Sequence, residues 1–345
     1  MKFLGKELDT PNSYPFIVAE ISCNHEGSIK QGKRLIQAAK EAGADAVKIQ
    51  VYTADDMTLR QIKYQIESGL WKGRTLYELY EKTQTNLDMA EQLIVYAEKI
   101  GIPIFASVFS GAKFEWCIKK GIEAFKIASF ELTDVELIKL VAGTGRPVVL
   151  STGMASTKDI DLALNYCNLD KTILLHCISA YPTKLSHANL WRIKFLQEMY
   201  KGWSSSGHVF VGFSDHTRGL TAGPLAVSLG ACMLEKHLAL PETNPEDESF
   251  SLHPNEFRDY VRRARIAAEA CFNVKVPEED PSYKLRRRLY VADDVAEGEL
   301  LTPDNIRSVR GPEGLEPYEF LLYPGRRYAA LDLKAGEPLT IELIK

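Results

Sequence analysis

The chain contains no apolar run approaching the 18–20 residues of a membrane-spanning helix, which excludes a helical anchor. It has no surplus of basic charge either. Its 42 Lys and Arg stand against 46 Asp and Glu, a formal net charge of −4, which argues against nucleic-acid binding through the phosphate backbone. No secretory leader is visible, because Lys2, Lys6, Glu7 and Asp9 all precede the first apolar stretch. Cysteine is scarce. Cys23, Cys117, Cys167, Cys177, Cys232 and Cys271 form no C-x-x-C pair and sit singly among apolar or polar neighbours, so reduced core thiols in a cytoplasmic protein are expected. The glycine-rich first turn of a dinucleotide-binding sheet is also missing. Apolar residues at 45% and charged residues at 26% describe an ordinary folded chain. Its 345 residues suffice for two domains or for one barrel with an appendage.

One unit recurs along the chain: a short β-rich apolar run, a polar loop, then an amphipathic stretch. The spacing predicts strands at 16–21, 46–51, 103–108, 124–129, 148–152, 173–177, 209–215 and 233–238, with helices between them such as 30–42, 87–100 and 221–229. Gly43, Gly101, Gly121 and Gly230 follow helical stretches as left-handed stops. Eight strand–helix units in about 225 residues match a (β/α)8 TIM barrel in count and length. The segment 53–86 is too long for a simple connection, and long insertions after barrel strands fall on the catalytic face as substrate walls or lids. Its Trp71, like Trp116, Trp191 and Trp203, reads first as a packing residue, though it could line such a wall. Proline and acid cluster at 273–284 and read as a linker, so the expected organisation is a barrel domain over 1–272 and a small β-rich domain over 285–345.

Strand residues alternate between helix-facing and interior sides. Val47, Ile49 and Val51 share the helix side, leaving Lys48 and Gln50 inside; Phe125 and Ile127 likewise leave Lys126 inside. Ile17, Ala19 and Ile21 turn Glu20 inward, Ser214 and His216 lie opposite Phe213, and Glu235 and His237 lie opposite Leu234 and Leu238. Two lysines, two glutamates and two histidines therefore converge near the strand C-termini, where barrel active sites lie. Any one of them could be a structural ion pair, but six at one mouth point to a site. The lysines, with Ser107, Ser129, Ser151, Ser179 and Ser214 at strand ends, suit a small phosphorylated or carboxylated anion. His216 and His237 could share one divalent cation in an open site.

These residues resemble the sialic acid synthases, which condense phosphoenolpyruvate with an amino sugar to give nine-carbon acids. The match is carried by Glu20-Ile21-Ser22-Cys23-Asn24-His25, Lys126-Ile127-Ala128-Ser129, Ser151-Thr152-Gly153-Met154, Ala180-Tyr181-Pro182-Thr183, Gly212-Phe213-Ser214-Asp215-His216 and Glu235-Lys236-His237. It continues through Arg288-Leu289-Tyr290 and Gly298-Glu299, where the terminal segment resembles the antifreeze-like (SAF) domain. Lys48-Ile49-Gln50-Val51-Tyr52, Gly69-Leu70-Trp71 and Ser129-Phe130-Glu131 favour the branch that makes pseudaminic acid from 2,4-diacetamido-2,4,6-trideoxy-L-altrose; the neuraminic and legionaminic branches share the barrel signatures.

The resemblance implies phosphoenolpyruvate contacts from Lys48, Ser107, Lys126, Ser129, Ser151, Ser179 and Ser214. It implies a divalent cation (manganese, magnesium or cobalt) on His216 and His237, with Glu20 at the reacting centre and Glu235 beside the metal. Tyr181 and Asp247 match sugar contacts; Asp247 is aligned by counting back from Ser251-Leu252, and Glu248 could take its place. Arg310 matches an arginine that one subunit sends into the site of the other in a domain-swapped homodimer. The chain departs from the family in reading Val309-Arg310-Gly311-Pro312 where Arg-Pro is usual. Two other readings of the residues stay open: a Schiff-base aldolase using Lys48 or Lys126, and a glycan- or ice-binding module with the barrel as its scaffold.

Overall fold

The computed structural model describes residues 1–8, 14–207, 209–272, 280–322 and 325–345. The chain divides into two compact units, Met1–Asn273 and Val274–Lys345. In the first, eight parallel strands close into a barrel: β1 (Phe16–Glu20), β2 (Ala46–Val51), β3 (Ile104–Val108), β4 (Phe125–Ile127), β5 (Val148–Ser151), β6 (Thr172–His176), β7 (Phe210–Asp215) and β8 (Met233–His237). Order around the barrel follows the chain, and β8 returns to pair with β1. The expected (β/α)8 barrel is present. β4 is the strand that falls furthest short of expectation: the chain leaves the sheet after Ile127, so Ser129 sits in the loop beyond it.

The helices are α1 (Ile29–Glu41), α2 (Leu76–Thr83), α3 (Leu87–Ile100), α4 (Gly111–Lys119), α5 (Val135–Ala142), α6 (Thr157–Leu164), α7 (Arg192–Met199), α8 (Ala222–Ser228) and α9 (Pro254–Phe272). Their starts are set by side-chain caps. Ser28, Thr75, Asn86, Ser110, Asp134 and Ser156 each accept a backbone N–H from the first turn. Gly101 ends α3 at φ +70°, a backbone conformation that a side chain would strain, and the other three predicted glycine stops also have positive φ. α2 lies in the long β2–α3 connection, together with the single turn Ala54–Met57.

Period-two alternation gives the barrel two apolar layers. Outside it, Ile17, Val47, Ile49, Ile127, Leu150, Leu174, Val211 and Leu234 pack beneath the helices. Inside, at the N-terminal end, Phe16, Val18, Phe105, Val149, Ile173, Leu175, Phe210 and Met233 fill the bore. A short N-terminal hairpin, Lys2–Phe3 with Lys6–Glu7, completes this plug. Its Phe3 ring meets Phe16 at 5.1 Å and Phe105 at 5.5 Å, both edge-on. The C-terminal half of the bore is thereby left as the place for polar groups.

The second unit pairs β9 (Arg287–Val291) with β10 (Ile306–Arg310) in antiparallel register over a small core that includes Leu289, Val291, Val295, Leu301, Ile306, Leu333 and Leu339. Of the expected linker 273–284, the first seven residues lie outside the described residues, and Pro281–Leu285 forms a 3-10 turn. Among the described residues no helix is long and apolar enough to cross a membrane.

Gly212, on β7, stands where the neighbouring strands leave no room for a side chain. A Cβ there would lie 2.6 Å from the Met233 carbonyl oxygen and 2.6 Å from Leu175 Cδ2. Because one of those atoms is backbone, Gly212→Ala is expected to lower stability by about 1–3 kcal/mol, the usual cost of overpacking. Urea denaturation would check this; an unchanged midpoint would show that the β7–β8 contact has slack.

Candidate active site

A cavity of about 630 Å³ opens at the C-terminal end of the barrel. Strand register sets its charged floor. Glu20 on β1 pairs with Lys48 on one side and His237 on the other, Ser107 pairs with Lys126, and Ser214 pairs with Glu235. Neighbouring residues in a parallel register project to the same side, so these groups meet inside the bore. Lys48 forms an ion pair with Glu20, lies 3.1 Å from Glu235 Oε2 and donates to Ser107 Oγ at 3.0 Å. Lys126 donates to Glu235 Oε1 at 2.5 Å, and Ser214 donates to the same oxygen at 2.9 Å. Beyond β1, Ser22 takes a left-handed conformation (φ +37°) that turns its N–H onto Glu20 Oε1 at 2.6 Å.

The network shifts Lys48, Lys126 and Glu235 in different directions. Burial pulls the Lys48 ammonium down, but Glu20 and Glu235 outweigh it and hold Lys48 above its ordinary value. Burial pushes the Glu235 carboxyl up, but Lys126 and Lys48 outweigh that and hold it well below the usual carboxylate range. Lys126 is the loosest: burial brings it below its ordinary value despite Glu235. With both its oxygens engaged, Glu235 serves to balance the two ammonium groups.

Beside Lys126, the ends of β4, β5 and β6 form a cradle. Ser129 Oγ accepts the Gly153 N–H at 3.0 Å, while Ser151 Oγ and Ser179 Oγ are buried without partners. A Cβ on Gly153 would stand 2.2 Å from Ser179 Oγ and 2.9 Å from Ser129 Oγ, so only glycine leaves this space open. Unpaired buried hydroxyls around a backbone N–H, next to an ammonium, are a site for anionic oxygens.

Across the cavity, the His216 and His237 rings lie 5.7 Å apart, inclined at 63°. His216 Nδ1 faces the Ile178 carbonyl at 3.0 Å, so it must donate there, which leaves a lone pair on Nε2. That lone pair faces Ser214 Oγ at 3.4 Å, whose own proton goes to Glu235. Nε2 is thus short of a positive partner. Burial, reinforced by His237, pushes His216 down to about 3 and keeps its imidazole neutral. His237 Nδ1 stands 3.3 Å from Asp247 Oδ2, an electrostatic contact without hydrogen-bond geometry. Imidazole–metal bonds of roughly 2.0–2.1 Å place two ring centroids about 5–6 Å apart, so the spacing of this pair leaves room for one divalent cation between them. Among the described residues no group of three or more His, Cys, Asp or Glu could hold a metal, so any further ligands would be water or substrate.

Asp247 is buried and lines the cavity, whereas Glu248 turns away to meet His253 at 3.1 Å. Burial pushes the Asp247 carboxyl up, but His237, Ser22 and Cys23 outweigh it and hold it below its usual range. Tyr181 lies against His216, with ring centroids 4.4 Å apart. Of the residues singled out from sequence, Glu20, Lys48, Ser107, Lys126, Ser129, Ser151, Ser179, Tyr181, His216, Glu235, His237 and Asp247 all line this one cavity, and Ser214 bonds to it through Glu235. Arg310 belongs to the other unit, where it ends β10 and is exposed.

Strand alternation missed two residues. Gly153 has no side chain to alternate, and Glu131 follows β4 beyond the reach of the strand pattern; the only trace of either was its place in a matched motif. Glu131 lines the cavity with an unpartnered Oε2, and burial, with Asp134 nearby, pushes it up to about 7.

A parallel barrel with paired lysines, carboxylates and histidines at its C-terminal mouth is the framework of an enzyme. Residues 35–275 match the NeuB family model and residues 286–345 match the SAF domain. The chain is 38% identical over 333 residues to the pseudaminic acid synthase of Campylobacter jejuni, covering 94% of this chain and 95% of that one. It is 30% identical over 345 residues to the N,N'-diacetyllegionaminic acid synthase of Legionella pneumophila, covering 96% and 94%. The solved N-acetylneuraminic acid synthetase of Leptospira borgpetersenii, determined with citrate, superposes with a TM-score of 0.67 at 27% identity over 79% of this chain and 89% of that one. The chain belongs to the NeuB family. It is an enzyme of the class that forms carbon–carbon bonds.

Glu131 gives a pH signature. Its folded value of about 7 lies above its ordinary 4.5, so the folded chain holds a proton that the unfolded chain releases over that interval. Its contribution to stability is present below 4.5 and is lost as pH rises through 7. Thermal melts from about pH 5 to 8 are expected to show this decline, and Glu131→Gln is expected to flatten it. An identical slope in the variant would show that Glu131 is already ionised.

Proposed function

We propose that this chain condenses phosphoenolpyruvate with open-chain 2,4-diacetamido-2,4,6-trideoxy-L-altrose and water, giving pseudaminic acid and phosphate. One observation carries the reading: two buried lysines and an unfilled serine–glycine cradle stand across one cavity from two imidazoles, those of His216 and His237. The higher identity to the pseudaminic than to the legionaminic synthase supports the choice of sugar.

In this reading Lys48 and Lys126 take the carboxylate and phosphate of phosphoenolpyruvate, with Ser129, Ser151, Ser179 and the Gly153 N–H closing on the remaining oxygens. Ser107 and Ser214 hold Lys48 and Glu235 in place. Carbon C3 of the enol phosphate is thereby aimed at the sugar aldehyde and attacks C1. The bond forms with loss of the C2–C3 double bond; water adds to C2, and the adduct expels phosphate. A divalent cation bound by His216 and His237 would supply Lewis-acid polarisation of the aldehyde oxygen. Glu20, held by Lys48 and the Ser22 N–H, takes the proton of the attacking water or orients it. Tyr181 and Asp247 line the sugar side. Arg310, exposed at its strand end, would serve the site of a second copy in a domain-swapped dimer. Lys48 is unsuited to the Schiff-base alternative, because it is held above its ordinary value and an imine-forming amine needs the reverse; Lys126, which burial lowers, is tested for it by borohydride trapping.

Phosphate release from phosphoenolpyruvate, assayed with N-acetylmannosamine and with each diacetamido trideoxy hexose, tests the proposal. Release is expected with the altrose-configured sugar, to be lost with EDTA, and to survive borohydride treatment with pyruvate. Release only with another sugar would overturn the assignment of product, and indifference to chelation would remove the cation. Glu20→Gln is expected to lower turnover by roughly 10²-fold or more while the circular dichroism spectrum is unchanged; near-normal turnover would remove Glu20 from the chemistry.

A further inference from the structure

One wall of the cavity comes from the β2–α3 connection, and its construction singles out Trp71. Residues 65–75 fold back on themselves: the Ile66 N–H donates to the Arg74 carbonyl at 2.9 Å, the Gly73 N–H donates to the Ile66 carbonyl at 2.8 Å, and Gln65 bridges to Thr75. The turn runs directly into α2, whose start is locked by the reciprocal cap of Thr75 and Glu78. It is also tied across the cavity mouth. Arg74 and Lys82 both donate to Glu246 Oε1, at 2.7 Å and 2.6 Å, one residue before Asp247. Trp71 is therefore held on a braced segment. Its ring leans on Tyr181 with centroids 5.9 Å apart, and Tyr181 in turn lies on His216.

Two properties of this wall need to be met by whatever enters. It is apolar, with Ile66, Leu70, Leu76, Leu79, Tyr80 and Phe130 facing the cavity. Yet Trp71 Nε1 is buried with no acceptor. A buried tryptophan ordinarily pairs its indole N–H, and an unpaired donor is costly. A sugar hydroxyl could accept this proton but would leave the apolar surface facing water. A carboxylate or phosphate would bring a second anion to a wall whose cations, Arg74 and Lys82, already serve Glu246. An amide with a short acyl chain meets both conditions, offering one carbonyl oxygen beside one methyl group.

We propose that Trp71 is a specificity-determining residue that reads an acylamino group of the sugar, its Nε1–H donating to the amide carbonyl while the acyl methyl lies on the Leu70–Leu79 wall. This rests on the reading above that an amino sugar enters the cavity. Turnover specificity then depends on the braced turn: it fixes where the indole N–H stands relative to Tyr181 and His216.

The test is Trp71→Phe, which keeps an aromatic ring and removes the donor. Phosphate release would be followed with the diacetamido sugar that the wild-type chain uses, and with its analogues in which either acetamido group is replaced by a hydroxyl. Where an analogue is not turned over, its competitive inhibition constant would be measured instead. The variant is expected to lose about 10-fold in kcat/KM for the parent sugar through KM, the scale of one hydrogen bond to a group otherwise left unpaired. KM for phosphoenolpyruvate should stay within two-fold. The penalty should fall below two-fold for the analogue lacking the acylamino group that Trp71 reads. A variant with the wild-type KM for the parent sugar, or with the same penalty on every analogue, would overturn the role of Trp71 while leaving the proposed reaction standing. Wild-type protein that releases phosphate with none of these sugars would overturn the reaction itself, and this inference with it.

Discussion

Four buried charged side chains on the floor of one cavity govern this molecule. Glu20, Lys48, Lys126 and Glu235 are 0%, 2%, 5% and 2% exposed, and they sum to zero net charge. Buried ion pairs seldom add much stability, because desolvation offsets most of the attraction, whereas losing one partner is severe at about 3–5 kcal/mol. Such a network is best understood as a preorganised electrostatic site held in the folded state by the rest of the barrel. Lys126 is its variable member, pulled below its ordinary value by burial, and it borders the cradle of unpaired hydroxyls. An incoming anion would find there an ammonium group only partly satisfied by Glu235.

The rest of the barrel can be read as support for that site. The Phe3, Phe16 and Phe105 rings plug the opposite end of the bore, so the polar half does not open onto a channel. A second buried pair lies on the helix-facing side. Lys236 faces Asp215 at 3.5 Å and donates to the Thr217 carbonyl, and Asp215 also accepts from the Thr217 N–H and the Tyr260 hydroxyl. His216 stands between Asp215 and Thr217, and His237 follows Lys236. The outer pair therefore fixes the backbone from which both imidazoles project inward.

Much of this was legible in the sequence, because a barrel strand carries its orientation in a period of two. Apolar residues on both sides of Glu20, Lys48 and Lys126 leave the charged residue no direction but inward. In β8, Leu234 and Leu238 set the outer side and turn Glu235 inward even though Lys236 shares that outer side. The gathering of all four at one mouth follows from closing eight such strands. The legibility stops where side chains cease to alternate. Glu131 lies past the end of β4, Gly153 acts through the absence of a Cβ, and the exposed or buried state of the Trp71 N–H depends on how 65–75 folds back. The choice between Asp247 and Glu248 could not be made by counting residues, since it turns on a loop that puts one on His237 and the other on His253. For Glu235, alternation showed its direction, but its partners decide its part: with Lys48, Lys126 and Ser214 on its two oxygens, it is the counter-charge of the site.

The most direct measurement is a calorimetric titration of phosphoenolpyruvate into the intact chain and into Lys126→Met, with the circular dichroism spectra of the two proteins matched beforehand. If Lys126 is the ammonium group that receives the substrate anion, the wild type binds at a single class of site and the variant loses about 10-fold or more in affinity, the scale of a hydrogen bond to a charged group. Equal affinities would contradict the account, since the buried charges would then stabilise the barrel without serving a ligand.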